Sequence, residues 1–285
     1  MNGHRIAQPE PSKRISDRRS TAEAGLDFRI QGFLSITLAQ CNALAAMQDR
    51  VDNKYLVDLN EASGFLDAIR TGYTVLEIDN RREFRYSSCY YDDRYACYFE
   101  HHQGRRQRLK VRTREYVDGG GQKFFEIKLK GSRGRTVKHR CPADDLIVSK
   151  VAGEELELVR SLYRSQYHKE MTFDLRPALI VQYRRCTLVA SDGSERVTID
   201  TSLGFSRPDD PDSPVRLGEQ FIVIETKSSN GKGIASDTLK TLRVRKASKC
   251  SKYCIGVNLT GGVTKGNSFL PVIRRAKQCL EEERA

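Results

Sequence analysis

The 285-residue chain has no tryptophan and only three methionines, and no apolar run in it approaches the roughly 18 to 20 residues that cross a bilayer. A spanning helix is therefore not expected. The N-terminus also lacks the apolar core of a signal peptide, so a cytoplasmic location is expected. The eight cysteines contain no Cys-x-x-Cys pair, and the nearest neighbours are Cys89/Cys97 and Cys250/Cys254. That spacing offers no structural zinc site and points to reduced, buried thiols. No His-Glu-x-x-His run accompanies His101, His102 or His139, which read as strand-end residues. A Walker A loop is missing as well, since Gly231-Lys232-Gly233 has no glycine at the required upstream spacing.

What the chain has in excess is positive charge. Lys+Arg 49 against Asp+Glu 37 gives a formal net charge of +12, which predicts an anionic partner without naming it. Nucleic acid, an acidic membrane surface and small polyanions all satisfy that sum. At 38% hydrophobic residues the composition suffices for a globular core.

The charge is patterned. In Arg108-Leu-Lys-Val-Arg-Thr-Arg-Glu-Tyr116 the cations Arg108, Lys110, Arg112 and Arg114 recur with period two, opposite Leu109, Val111 and Thr113. After the turn Asp118-Gly-Gly-Gly121, Glu126, Lys128 and Lys130 alternate with Phe125, Ile127 and Leu129. The spacing predicts a hairpin with one cationic face. Arg196, Thr198 and Asp200 repeat the alternation, and Glu225 and Lys227 repeat the spacing of Glu126 and Lys128. If these faces converge, the sheet must curl into a barrel with a polar interior and helices outside. Gathering so many like charges is tolerable only when a polyanion and a metal share the space.

Around these strands, residues 1–28 are polar and read as a disordered basic tail, and 29–285 as a single domain. Helical spacing is found from Gly32 to Arg50, from Asn60 to Arg70, and from Pro142 to Tyr167 with a break near Gly153. Further strands are expected over 51–57, 73–78, 84–91, 177–189, 195–201 and 220–227. The segment 95–101 leads into the cationic hairpin, and 207–217 is expected as a proline-rich loop. Residues 236–242 and 267–283 complete the chain as helices. Tyr86, Tyr90, Tyr91, Tyr95 and Tyr98 read as wall and core residues rather than base-stacking platforms.

From about Asp52 to Leu259 the ordered series resembles the VTC domain, the polyphosphate-polymerase branch of the CYTH triphosphate-tunnel superfamily. It comprises Asp52-x-Lys54-Tyr55, Tyr90-Tyr91-Asp92 before Tyr98, the 108–116 strand, and Phe125-Glu126-x-Lys128 with Lys138. Tyr183-x-Arg185, Arg196-x-Thr198-x-Asp200, Glu225-x-Lys227 and Ser251-Lys252-Tyr253 complete it. The resemblance implies an α+β fold, an antiparallel eight-stranded β-barrel enclosing a triphosphate tunnel with helices packed outside. It implies phosphate ligation by Lys54, Arg108, Lys110, Arg112, Arg114, Lys128, Lys138, Arg185, Arg196, Lys227 and Lys252. Arg112, Arg114, Lys128, Arg196 and Lys252 would be catalytic. Glu225 would hold Mn²⁺ or Mg²⁺, with Glu126 and Asp52 as helpers.

Relatives often carry a glutamate-x-glutamate-x-lysine run on the first strand, where this chain has Arg50 and Asp52 before Lys54. That departure weakens the case for two metals and suits the polymerase branch. The implied reaction is transfer of the γ-phosphoryl group of ATP to a growing polyphosphate chain. An inorganic triphosphatase and a non-catalytic polyphosphate or inositol-polyphosphate binder are the alternatives. Cavity-facing Glu-x-Lys pairs do not suit a nucleic-acid module. A membrane-protein partner engaged through the N-terminal region is a further expectation.

Overall fold

The computed structural model describes residues 26–27, 29–44, 51–131 and 136–282. In chain order the strands are β1 (Leu34–Ile36), β2 (Val51–Val57), β3 (Tyr73–Leu76), β4 (Glu83–Asp92), β5 (Leu109–Tyr116), β6 (Gln122–Lys130), β7 (Thr136–Ala143), β8 (Arg176–Ala190), β9 (Glu195–Arg207), β10 (Asp210–Arg216) and β11 (Ile222–Ser228). The helices are α1 (Leu38–Leu44), α2 (Leu59–Ile69), α3 (Ala96–His102), α4 (Gly153–Tyr167), α5 (Ile234–Thr241), α6 (Lys252–Leu259) and α7 (Leu270–Glu282). None of them is long and apolar enough to cross a membrane.

Eight strands form one antiparallel path in the order β2-β11-β9-β8-β4-β5-β6-β7. The sheet curls until its two end strands approach, and Lys138 Nζ on β7 lies 3.7 Å from Asp52 Oδ2 on β2. The eight-stranded α+β architecture is thus present, with a seam bridged by side chains. The alternation read from sequence divides the two faces. Leu109, Val111, Phe125, Ile127 and Leu129 pack outward against Val159, Tyr163 and Tyr167 of α4. On the other half, Tyr55, Val57, Val197, Ile199, Ile222 and Ile224 pack outward against α2 and α5.

The concave face is apolar at its ends. Leu179, Val181, Phe205, Phe221 and Val223 close on Tyr253, Cys254, Ile255 and Val257 of α6, so this helix fills one end of the curl. The approach is close. A β-carbon on Gly256 would sit 2.4 Å from Phe205 Cδ1 and 2.5 Å from Leu179 Cδ2. Ile36, Cys41, Leu76 and Val189 extend the same cluster at the β8–β9 turn end.

Several local expectations are corrected. The helix expected over 32–50 begins only at Leu38 and is followed to Leu44, because Leu34–Ile36 pairs parallel with Thr74–Leu76. A reciprocal pair of contacts sets the start: Gln40 N donates to Thr37 Oγ1 at 3.3 Å, and Thr37 N donates to Gln40 Oε1 at 3.0 Å. Residues 45–50 lie outside the described residues. Pro142 belongs to β7, an end strand that tolerates proline, and one helix starts at Gly153 rather than two meeting there. The 207–217 loop contains β10, which pairs with β9 across a register shift. His101 and His102 end a helix and His139 lies in the middle of β7, so none is a strand-end residue. Of the expected basic tail, residues 1–25 lie outside the described residues, and Leu26 is buried against the convex face.

Gly256→Ala should destabilise the protein by about 1–3 kcal/mol through overpacking. Thermal melting checks this, with an unchanged midpoint counting against the close seating of α6.

Candidate functional site

Between the two apolar ends the concave face is lined by charge. Register sets Lys110 opposite Lys128, Lys128 opposite Lys138, and Arg112 opposite Glu126. On the facing half Glu225 stands opposite Lys54, Lys227 opposite Asp52 and Arg196, and Arg185 opposite Asp200. The pattern therefore brings Lys54, Lys110, Arg112, Arg114, Lys128, Lys138, Arg185 and Lys227 to one surface.

Three carboxylates organise these cations. Glu225 Oε1 receives Lys54 Nζ, and its Oε2 lies 3.0 Å from Lys227 Nζ. Asp200 is fully buried; Arg185 Nη2 donates to it at 2.8 Å, and Lys252 of α6 reaches the same carboxylate. Glu126 Oε2 accepts Arg112 Nε at 2.7 Å, while Arg112 Nη1 donates to Tyr90 OH at 2.7 Å. Burial works against the charge on each acid, yet the neighbouring cations outweigh it. Lys227, Lys54 and Arg185 hold the Glu225 carboxyl well below the usual range. Arg112 and Arg114 bring Glu126 down to about 2, and Arg185 and Lys252 lower Asp200.

The cations outnumber these partners. Burial, followed by Arg112 and Lys138, pushes Lys128 well below the usual lysine range. Lys110, which donates to Ser251 Oγ at 2.9 Å, is lowered chiefly by burial, and Lys227 falls to about 8 through burial despite Glu225. Aromatic faces hold Arg114, and back Arg185 and Lys252, without neutralising them. Tyr86 and Tyr183 stack with centroids 5.2 Å apart; Arg114 lies 5.4 Å from the first ring, Arg185 5.3 Å and Lys252 Nζ 4.7 Å from the second.

Two predicted ligands stand apart from this cluster. Arg108 lies just before β5, where Tyr167 OH donates to its carbonyl at 2.8 Å and its buried Nε has no hydrogen-bond partner. Arg196 reaches toward α1, donating from Nη2 to Cys41 O at 3.2 Å. Sequence reasoning left Asp200, Tyr90, Tyr183 and Ser251 without roles in the site. The signal for Asp200 was its place on the Arg196 face; Ser251 required knowing that α6 turns inward.

Glu225, Glu126 and Asp52 stand on β11, β6 and β2, and among the described residues no three His, Cys, Asp or Glu side chains form a metal cage. A hard divalent ion commonly takes one or two carboxylates and completes its shell with water and phosphate oxygens. Glu225, with hard oxygens and two cations that substrate could displace, fits that mode.

The lowered lysines set a pH dependence. Below about 8 folding must carry a protonated, crowded Lys227. Between that value and the ordinary lysine value of about 10.4 only the unfolded chain holds the proton, so stability rises with pH through this window. Phosphate favours the protonated lysine. The gain in melting temperature from millimolar tripolyphosphate should therefore be larger at pH 7 than at pH 9.5, and a gain independent of pH would contradict the site.

A family model described as the VTC domain matches residues 49–260. No curated protein matches the chain. Among solved structures, the PH1819 protein from Pyrococcus horikoshii OT3 is 14% identical over 74% of this chain and 98% of that one, with a TM-score of 0.40. The putative adenylyl cyclase HpAC1 from Hippeastrum, described as having a dominant triphosphatase activity, is 12% identical over 74% and 96%, TM-score 0.46. The Pct1 RNA triphosphatase of S. pombe is 10% identical over 98% and 97%, TM-score 0.28.

Proposed function

The chain belongs to the VTC domain family, and we propose that it is a metal-dependent polyphosphate polymerase using ATP. The bond from the γ-phosphorus to the bridging oxygen of ADP breaks as a bond forms to a terminal oxygen of the polyphosphate chain, and ADP leaves. Lys54, Lys110, Lys138, Arg185 and Lys227 would grip the phosphates, and Arg108, just before β5, would meet them only at the margin of the site. Arg112, Arg114, Lys128 and Lys252 would neutralise charge on the transferring group, while Arg196, turned toward α1, would act only at the margin of the site. Glu225 would hold Mn²⁺ or Mg²⁺, with Glu126 on β6 and Asp52 on β2 as helpers, and the ion would supply positive charge to the phosphates.

The observation that carries this reading is the state of the acids. Glu126, Asp200 and Glu225 are all bound to cations and lie below the usual carboxylate range. Such groups are poor general bases for water. A chain-terminal phosphate is already an anion and needs none. Hydrolysis of triphosphate asks more of these carboxylates than transfer does.

With ATP and Mn²⁺ the protein should release ADP in proportion to phosphate incorporated into polymer resolved by electrophoresis. Orthophosphate release from tripolyphosphate, with neither ADP nor polymer from ATP, would favour the triphosphatase instead. Glu225→Gln should lower turnover by about two orders of magnitude. It also strips Lys54 and Lys227 of their carboxylate, so the free protein should lose about 3–5 kcal/mol. Tripolyphosphate should restore part of that stability. Full turnover in the variant would move the metal to another residue.

A further inference from the structure

The stretch from Thr238 to Leu280 contains no Asp or Glu, and its first part carries Lys240, Arg243, Arg245, Lys246 and Lys249. All five are exposed. The chain here leaves α5 on the convex face, where Val244 is buried among Tyr55, Val57 and Ile224. It then crosses the free edge of β2: Lys246 bridges to Tyr55, and Ala247 N donates to Lys54 O at 2.7 Å. It ends inside the curl, at Ser251 and Lys252. A row of cations thus runs from the outer surface over the seam to the phosphate-facing lysines.

The close succession of these cations without an interleaved acid, and the shape of their backbone, set this row apart from the general basicity of the chain. Several surface arginines elsewhere are ion-paired, as in Arg29–Asp67, Arg105–Glu100, Arg160–Glu157, Arg164–Glu170 and Arg207–Asp209, while the exposed Arg106, Arg216 and Arg274 are unpaired among the described residues. Among the described residues none of the five cations of the strip is paired with a carboxylate. The strip's backbone is also fixed in an uncommon shape. Arg243 and Lys249 have φ of 61° and 56°, a conformation that non-glycine residues adopt at a cost. Unpaired like charges held in a fixed row repel one another until an anion of matching length lies along them. Cations also guard exposed strand edges, but edge protection needs no continuity with the cavity.

We propose that Lys240, Arg243, Arg245 and Lys246 form an external track for linear polyphosphate, binding the part of a chain that extends beyond the cavity. This rests on the reading of the cavity as a polyphosphate site. The track would make affinity depend on chain length. Short anions saturate the interior and gain nothing from it.

The test compares equilibrium binding of long-chain polyphosphate and tripolyphosphate to the full chain and to the variant Arg243→Gln/Arg245→Gln/Lys246→Gln. For long chains the variant should lose about tenfold or more in affinity, and its slope of log affinity against log salt should fall by about 2 to 3. Tripolyphosphate affinity should stay within about twofold, since the track adds nothing to a short anion. Arg243→Lys/Arg245→Lys should keep the wild-type slope. Unchanged long-chain binding in the glutamine variant would overturn the proposal. Equal losses for both anions would place these residues in the cavity site and overturn it as well. A third arm uses phosphatidylserine vesicles, and vesicle binding lost together with intact long-chain binding would assign the strip to a lipid surface. Binding is read without turnover, so a protein that makes no polymer but keeps the length dependence refutes the polymerase and leaves the track standing.

Discussion

Repulsion among cations gathered on one concave sheet face is the constraint on which the rest of the structure depends. Lys54, Lys110, Arg112, Arg114, Lys128, Arg185 and Lys227 cannot share a poorly hydrated surface unless acids are interleaved among them. Glu225, Asp200 and Glu126 answer this on three separate strands, each taking at least one cation. Tyr86 offers a π-face to Arg114, and Tyr90 and Tyr183 add a hydroxyl and a π-face to Arg112 and Arg185. The arrangement leaves net positive charge directed at the cavity. An anion with several closely spaced charges relieves what the acids do not.

The same constraint explains the outer architecture. A sheet with charge on its inner face must bury its outer one, and α2, α4 and α5 supply the cover. At the end of the curl, where charges give way to Leu179, Val181 and Phe205, a helix without a polar face fits, and α6 fills that role. Its first turn delivers Lys252 to Asp200, and Tyr253 anchors it from below by donating to the buried Asp92. Packing and site chemistry therefore meet on adjacent residues of one helix.

Much of this was legible in the sequence because strand alternation is a strict code. Once Arg108 to Arg114 and Glu225-Thr-Lys227 were seen to share a period, the inward faces of β5, β6, β9 and β11 followed. What escaped was whatever depended on tertiary partners. Residues 34–36 have helical spacing but become a strand because β3 offers an edge. Residues 210–216 carry prolines but join β9 at the margin of the sheet. The inward turn of α6 leaves no periodic trace, since its apolar residues surround it. Arg196 shares the period of the charged faces, while its contact with Cys41 depends on where α1 comes to rest.

The central claim is that this cavity joins phosphates rather than cleaving them with water. Phosphorus-31 resonance of the protein incubated with ATP and Mn²⁺, followed after the metal is chelated, tests it most directly. A mid-chain polyphosphate signal growing together with ADP, without matching orthophosphate, is the result predicted. Orthophosphate rising alone, with no mid-chain signal, would contradict it.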